Sequence, residues 1–406
     1  MKIIAIDGNE ANVEKRVGVN VYAYQILCGL HKLQDTWQSQ FSVVVFLKEK
    51  PLSDMPQETS SWRYRVLSPR GPMWILTKLT PTLWLTKLKP AVLFSPSHYT
   101  TPLAPCPTVC SIMDLGYLDS SDQFTKRTFW QLKYWTAISI LRSKLILAIS
   151  NATKEDIVRH YPSASEKTVV THLGYDEGQF NVQVSDKDVR RVREKYHIVD
   201  DYILYLGTLK PSKNVAGIID AFALICHSRP DRESIQRKHW TPDPSNMAGG
   251  QVRGDNRLKL VVAGKKGWMY EAIFATVKKL GLENGVIFTD YLPEADKPAL
   301  MAGAKMLVSP SFWEGFGLHA LEAMAVGTPV VVSDRGSFPE IVGDAGVLVN
   351  AESVTAIADG IRQILALNDK ELAVLKQKMF LQVAKFTWEA TAQKTLDAIR
   401  RVIDVQ

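Results

Sequence analysis

Eleven short apolar runs, separated by segments long enough for a helix, constrain the fold of this 406-residue chain more than anything else in it. In the first half they are 2–6 (KIIAI), 42–47 (SVVVFL), 91–94 (AVLF), 107–112 (PTVCSI) and 145–149 (LILAI). In the second half they are 202–206 (YILYL), 258–263 (LKLVVA), 286–289 (VIFT), 305–309 (KMLVS), 329–333 (PVVVS) and 346–349 (GVLV). Continuous apolar runs, rather than an apolar–polar alternation, mark strands buried on both faces, so parallel sheets with helices on either side are expected. The two sets part near 173–200, which predicts an α/β chain with two doubly wound domains. We place the first at 1–172, the second at 173–385, and a C-terminal helix at 386–406, where 387–404 (TWEATAQKTLDAIRRVID) is strongly amphipathic. Residues 227–257 are polar, rich in Pro and Gly and without period, and read as a loop insertion.

Composition narrows the function classes. With 46% hydrophobic and 22% charged residues the chain reads as an ordinary globular protein. Its formal charge of +7 admits phosphorylated ligands, an anionic membrane or nucleic acid, and nothing beyond net charge favours the last. Four scattered cysteines form neither a disulfide framework nor a zinc site, and suit a reducing cytoplasm. The opening MKIIAIDGNE runs straight into a strand, so no signal peptide is expected, and no apolar run is long enough to span a bilayer. The acids Asp186 and Asp188 follow Ser185 and read as the first turn of a helix rather than a metal site.

Three strand-to-helix turns carry candidate chemistry. The first is Ser311–Met324 (SFWEGFGLHALEAM), in which Glu314 and Glu322 flank a glycine-bracketed turn between the strand 305–309 and a helix at 318–326. Ligands of open α/β sheets bind beyond the strands' carboxyl ends, and a helix start favours an anion such as a diphosphate. Two carboxylates there suit a ligand that also carries hydroxyls, as a nucleotide sugar does. The second turn, in YILYLGTLKPSKN (202–214), holds Lys210 and Lys213 just past a strand, where an ammonium would neutralise a diphosphate. The third, 7–22, carries Gly18 and Asn20 ahead of a helix at 21–33, which reads either as an anion contact or as a simple helix start. It lacks a dinucleotide fingerprint, so a nicotinamide dehydrogenase is not expected.

The block E-G-F-G-L-x-x-L-E-A-M-A-x-G-x-P-V-V around Glu314 and Glu322 resembles the E-x7-E signature of retaining glycosyltransferases of the GT-B fold, in glycosyltransferase family 4 (GT4). Gly336-x-x-Pro339-Glu340, Gly207-Thr208-Leu209 with Lys213-Asn214, Val262-Ala263-Gly264 and Ser150-x3-Lys154 are similar to the same family, and the G-T-L-x-P-x-K-N loop resembles its bacterial mannosyltransferases. The resemblance implies two Rossmann-like domains facing a cleft, with the acceptor on the first and the donor on the second. Glu314 and Lys213 would be catalytic, Glu314 at the sugar and Lys213 at the leaving diphosphate. Glu322 would hold the ribose, and Phe316, Gly317, Leu318, Gly207, Thr208 and Lys210 would line the donor site. Gly18, Asn20, His98, Met113 and Asp114 would lie on the acceptor or cleft side. No cofactor or metal is implied, because a fixed cation and oriented amides would stabilise the leaving group. The implied activity is transfer of a hexose, mannose or similar, from GDP-mannose or a UDP-sugar to a glycan or lipid-linked acceptor in cell-surface polysaccharide synthesis.

Two departures stand out. The arginine that usually precedes the loop lysine is Ser212, and the usual His-Asp after the strand 107–112 is Met113-Asp114. Methionine can neither donate a hydrogen bond nor exchange a proton. Two rival readings therefore stay open: a sugar-nucleotide epimerase of the same fold, and a nucleotide-sugar-binding protein with impaired catalysis. Segments 73–90 and 124–144 interleave Trp, Tyr and Leu with Lys and Arg. They suit either core-packing helices or peripheral contact with an anionic membrane at its inner face.

Overall fold

The computed structural model describes residues 1–67, 71, 73–85, 88–119, 125–227 and 258–404; beyond His227, the expected 227–257 insertion lies outside the described residues. The chain divides into two compact units, Met1–Tyr175 with Phe386–Gln406, and Asp176–Lys385. Each is built on one all-parallel sheet.

In the first unit the strands are β1 (Lys2–Asp7), β2 (Phe41–Leu47), β3 (Trp62–Val66), β4 (Val92–Ser95), β5 (Thr108–Ile112), β6 (Leu145–Ala148) and β7 (Thr168–Val170), in the spatial order β3-β2-β1-β4-β5-β6-β7. Five were expected; the edge strands β3 and β7 were not. In β3 (WRYRV) arginines alternate with the apolar residues and only Trp62 is buried, and β7 is three residues long. A run broken by charged residues, or one only three residues long, leaves a weaker apolar signal. The helix Trp388–Asp404 belongs to this unit and packs on the helix Val19–Lys32 so closely that a Cβ on Gly29 would stand 2.5 Å from Ala392 Cβ. Thr391 Oγ1 donates to His172 O at 2.6 Å.

One face of this sheet is covered by residues 75–85 and by the helix Lys126–Arg142. Ala5, Leu93 and Thr108 share it by register, as do Cys110 and Ile146. Trp74, Leu79 and Leu83 pack inward, whereas Trp84 (64% exposed), Leu85 (86%), Trp130 (45%) and Tyr134 (61%) face out. The two basic, aromatic segments thus each split into a core face and an exposed apolar face. No helix among the described residues is long and apolar enough to cross a membrane.

The second unit contains β8 (Asp201–Leu206), β9 (Leu258–Ala263), β10 (Val286–Asp290), β11 (Met306–Ser309), β12 (Val330–Ser333) and β13 (Val347–Val349), ordered β10-β9-β8-β11-β12-β13. The chain winds outward from β8 in one direction and then, from β11, in the other. The switch point therefore falls between β8 and β11, paired through Met306–Ile203 and Leu307–Leu204. In the first unit it falls between β1 and β4. The acids after Ser185 open a helix, Asp186–Lys195, whose N-cap hydroxyl accepts from Asp188 N at 3.1 Å.

Candidate active site

The switch point of the second unit brings the two most informative turns side by side. Lys210 and Lys213 follow β8, and Glu314 follows β11. Phe312 N donates to Ser212 O at 2.9 Å and ties the turns together. Lys213 Nζ donates to Glu314 Oε2, an ion pair between residues 101 apart in sequence, both side chains mostly buried. Burial pushes the Glu314 carboxyl up, but the Lys213 charge, His319, the Lys213 hydrogen bond and Lys210 outweigh it and hold the group below its ordinary range. Sequence reasoning assigned Glu314 and Lys213 separate tasks; the fold couples them. An ammonium has three donors, so Lys213 can hold Glu314 and still face an anion. Lys210 lies over the Trp268 ring, 5.3 Å from its centroid.

The backbone of these turns is closely fitted. Gly317 caps the helix Leu318–Ala325 at φ +82°, and a Cβ there would meet the Phe338 ring at 2.5 Å. Gly264 approaches the loop after β8 so closely that its Cβ would stand 1.9 Å from Gly207 O, and Gly207 N donates to Ala263 O at 2.9 Å. Thr208 O accepts from Tyr205 Oη at 3.2 Å. Ser337 donates to Glu314 O through both its N and its Oγ, each at 3.1 Å. Phe316 is only 3% exposed, so its ring belongs to the core of the turn. The amides of Leu318 and His319 open the Leu318–Ala325 helix without an intrahelical partner, whereas Ala320 N already donates to Gly317 O at 2.9 Å.

Glu322 lies on the same helix at 8% exposure, and no described residue donates a hydrogen bond to its carboxylate. Burial pushes its pKa up to about 8. Lys297 opposes the shift, while Glu294 and Asp176 reinforce it. Lys297 is itself paired with Glu294 at 2.7 Å. Glu322 is thus largely protonated at neutral pH, and groups that donate hydrogen bonds to it would favour its ionised form.

In the first unit the switch point carries the remaining candidates. Gly18 (φ +52°) precedes the helix Val19–Lys32, and Asn20 Nδ2 donates to Glu10 O at 3.1 Å and to Glu10 Oε2 at 2.7 Å. A carboxylate at this helix start suits a hydroxyl-bearing ligand better than an anion. His98, beyond β4, lies against Tyr99 with ring centroids 4.0 Å apart and planes tilted by 55°, and its Nε2 is sealed from solvent without a hydrogen-bond partner. Burial lowers its pKa to about 4, so it is neutral at physiological pH. Met113 is half-buried with its carbonyl accepting from Thr153 Oγ1 at 3.2 Å, and Asp114 Oδ1 accepts from Gly116 N at 3.1 Å. Sequence reasoning passed over His319, although it lies inside the Glu314–Glu322 block.

The glycosyl transferases group 1 family matches residues 188–379, within the second unit. O-antigen chain mannosyltransferase B of Escherichia coli is 28% identical over 338 residues, 83% of this chain and 79% of that protein. Serotype-specific mannosyltransferase WbdA of Escherichia coli is 27% identical over 305 residues, 74% of this chain but 34% of that protein, so the chain spans about a third of WbdA's length. The solved structure of Anabaena HepE in complex with UDP and glucose superposes with a TM-score of 0.68 at 19% identity, covering 99% of this chain and 100% of that one. With two Rossmann-like units and the paired turns at the second switch point, the chain has the GT-B fold and carries a glycosyl transferases group 1 domain over residues 188–379.

Proposed function

We propose that this protein transfers mannose from GDP-mannose to a glycan or lipid-linked acceptor in O-antigen-like polysaccharide synthesis, with retention and without a bound metal. The observation that carries the reading is the pairing of Lys213 with Glu314 beside the Leu318–Ala325 helix start, with Glu322 buried on that helix. Lys213 and the first-turn amides offset the charge growing on the leaving diphosphate, Glu314 orients the sugar and Glu322 the ribose. The choice of mannose rests on similarity to the O-antigen and WbdA mannosyltransferases; HepE, with UDP and glucose bound, makes a UDP-sugar the second candidate. The test is a panel of GDP-, UDP- and dTDP-sugars, scored by thermal shift, by transfer to a mannosylated acceptor and by the anomeric configuration of the product. GDP-mannose should raise the midpoint and give an α-linked product; an inverted anomer, or conversion of the donor without an acceptor, would sink the proposal.

The acceptor class has its own support. Residues 59–113 and 123–154 contain no Asp or Glu, and the exposed Trp84, Leu85, Trp130 and Tyr134 lie within them. Apolar side chains set among cations suit an anionic bilayer, which would hold the enzyme at the cytoplasmic membrane surface. Co-sedimentation with phosphatidylglycerol vesicles should be strong at low salt and fall with Trp130→Ser and Tyr134→Ser. Equal binding to neutral phosphatidylcholine vesicles, or none to either, would discard it.

A further inference from the structure

The donor turn holds one side chain whose chemistry the reading above does not use. His319 is the second residue of the Leu318–Ala325 helix and is half-buried. Its Nε2 lies 2.8 Å from the hydroxyl of Ser309, the last residue of β11. That hydroxyl lies 3.4 Å from Ser311 Oγ, and both serines are buried. Phe338 stands edge-on to the imidazole, with centroids 5.9 Å apart and planes at 88°. One nitrogen and the ring plane are therefore held by the body of the fold.

The other nitrogen is not. No described residue hydrogen-bonds Nδ1, and it is not among the polar atoms sealed from solvent without a partner. His319 stands in the first turn of the helix that follows Glu314, and Glu314 pairs with Lys213, so the ring belongs to the same small region. Burial lowers the His319 pKa to about 4. A neutral imidazole presents either one N–H or one lone pair at Nδ1, according to what Nε2 does with Ser309. A sugar hydroxyl, which both donates and accepts, fits either tautomer. A phosphate oxygen fits only the donor, and Lys213 already serves it.

We propose that His319 is a specificity-determining residue of the donor site, hydrogen-bonding a hydroxyl of the transferred sugar through Nδ1 while Ser309 fixes the ring through Nε2. The proposal rests on the donor-site reading and sharpens it by adding a second sugar contact beside Glu314.

The two nitrogens can be tested separately. An asparagine amide reaches about as far as Nδ1, and a glutamine amide about as far as Nε2. With the full chain, GDP affinity is measured by calorimetry, and GDP-mannose KM and kcat from initial rates, for wild type, His319→Asn and His319→Gln; melting midpoints verify folding. His319→Asn should keep KM for GDP-mannose within about threefold, and His319→Gln should raise it about tenfold, the effect of one lost hydrogen bond. GDP affinity should be unchanged in both. The reverse order, with glutamine restoring KM and asparagine not, would show that only the Ser309 clamp matters and would overturn the proposal. An equal loss of GDP affinity would overturn it too, by moving the contact to the diphosphate. If wild type bound no GDP-, UDP- or dTDP-sugar, the donor-site reading itself would fall; wild-type binding with both variants unaltered removes only His319.

Discussion

Glu322→Gln isolates the cost of burying one carboxylate. The side chain is 8% exposed, receives no hydrogen bond from a described residue, and has its nearest cation, Lys297, engaged by Glu294. Its pKa rises from 4.5 unfolded to about 8 folded. The folded state therefore holds a proton that the unfolded state gives up, so stability falls as pH rises through this interval. Below pH 4.5 both states are protonated and the residue costs nothing by this route. Linkage at 1.36 kcal/mol per pKa unit makes the cost about 1 kcal/mol at pH 5, about 3 at pH 7 and close to 5 above pH 8. Glutamine has nearly the same shape and no charge, so the variant should melt higher than wild type by an amount that grows with pH. At about 2–4 °C per kcal/mol for a unit of this size, the gain is about 6–12 °C at pH 7 and 2–4 °C at pH 5. Thermal melts of both proteins at pH 5, 7 and 8.5 give the answer. A midpoint difference that does not change between pH 5 and 8.5 would refute the reasoning, because it would mean that Glu322 ionises alike in both states. In the same variant nucleotide affinity should fall, since one of the two acceptor oxygens becomes an NH2 donor and the charge that strengthens the remaining bond is lost. Binding of nucleotide to wild type should strengthen from pH 6 to 8 as the carboxylate becomes easier to ionise.

The remaining predictions concern the same unit. Lys213→Ala should lower kcat by about 10²–10³, the effect of removing one group that stabilises a leaving anion; an unchanged kcat, measured from initial rates, removes Lys213 from the chemistry. The same variant leaves Glu314 without its ion-pair partner, and the stability lost, about 1–3 kcal/mol at pH 7, should shrink as pH falls below 4.5 and vanish once it passes the lowered pKa of Glu314 in the fold. Gly317→Ala should cost at least about 2 kcal/mol in urea unfolding, because it forces an L side chain to φ +82° and drives its Cβ toward the Phe338 ring. A cost under about 0.5 kcal/mol would mean that the turn relaxes freely.

Much of this protein is readable one residue after another. Strands buried on both faces must be apolar throughout, so eleven of the thirteen strands among the described residues stand out against the helices between them. β3, with two arginines among its five residues, and β7, three residues long, carry too little of that signal. The spacing of Glu314 and Glu322 and the glycines of their turn are local features, and the sequence alone determined them, together with the family they resemble. What the tertiary structure decided is which turns meet and what charge their side chains hold. Strand order sets β8 beside β11, and that order pairs Lys213 with Glu314 across 101 residues, while the turn after β11 brings His319 back onto Ser309. The same burial that raises Glu322 to about 8 lowers His319 to about 4, while Glu314 stays ionised because a lysine from another strand's loop is held against it. A carboxylate's charge depends on the water it loses and the cations it gains, and both are properties of the packed fold rather than of the residue.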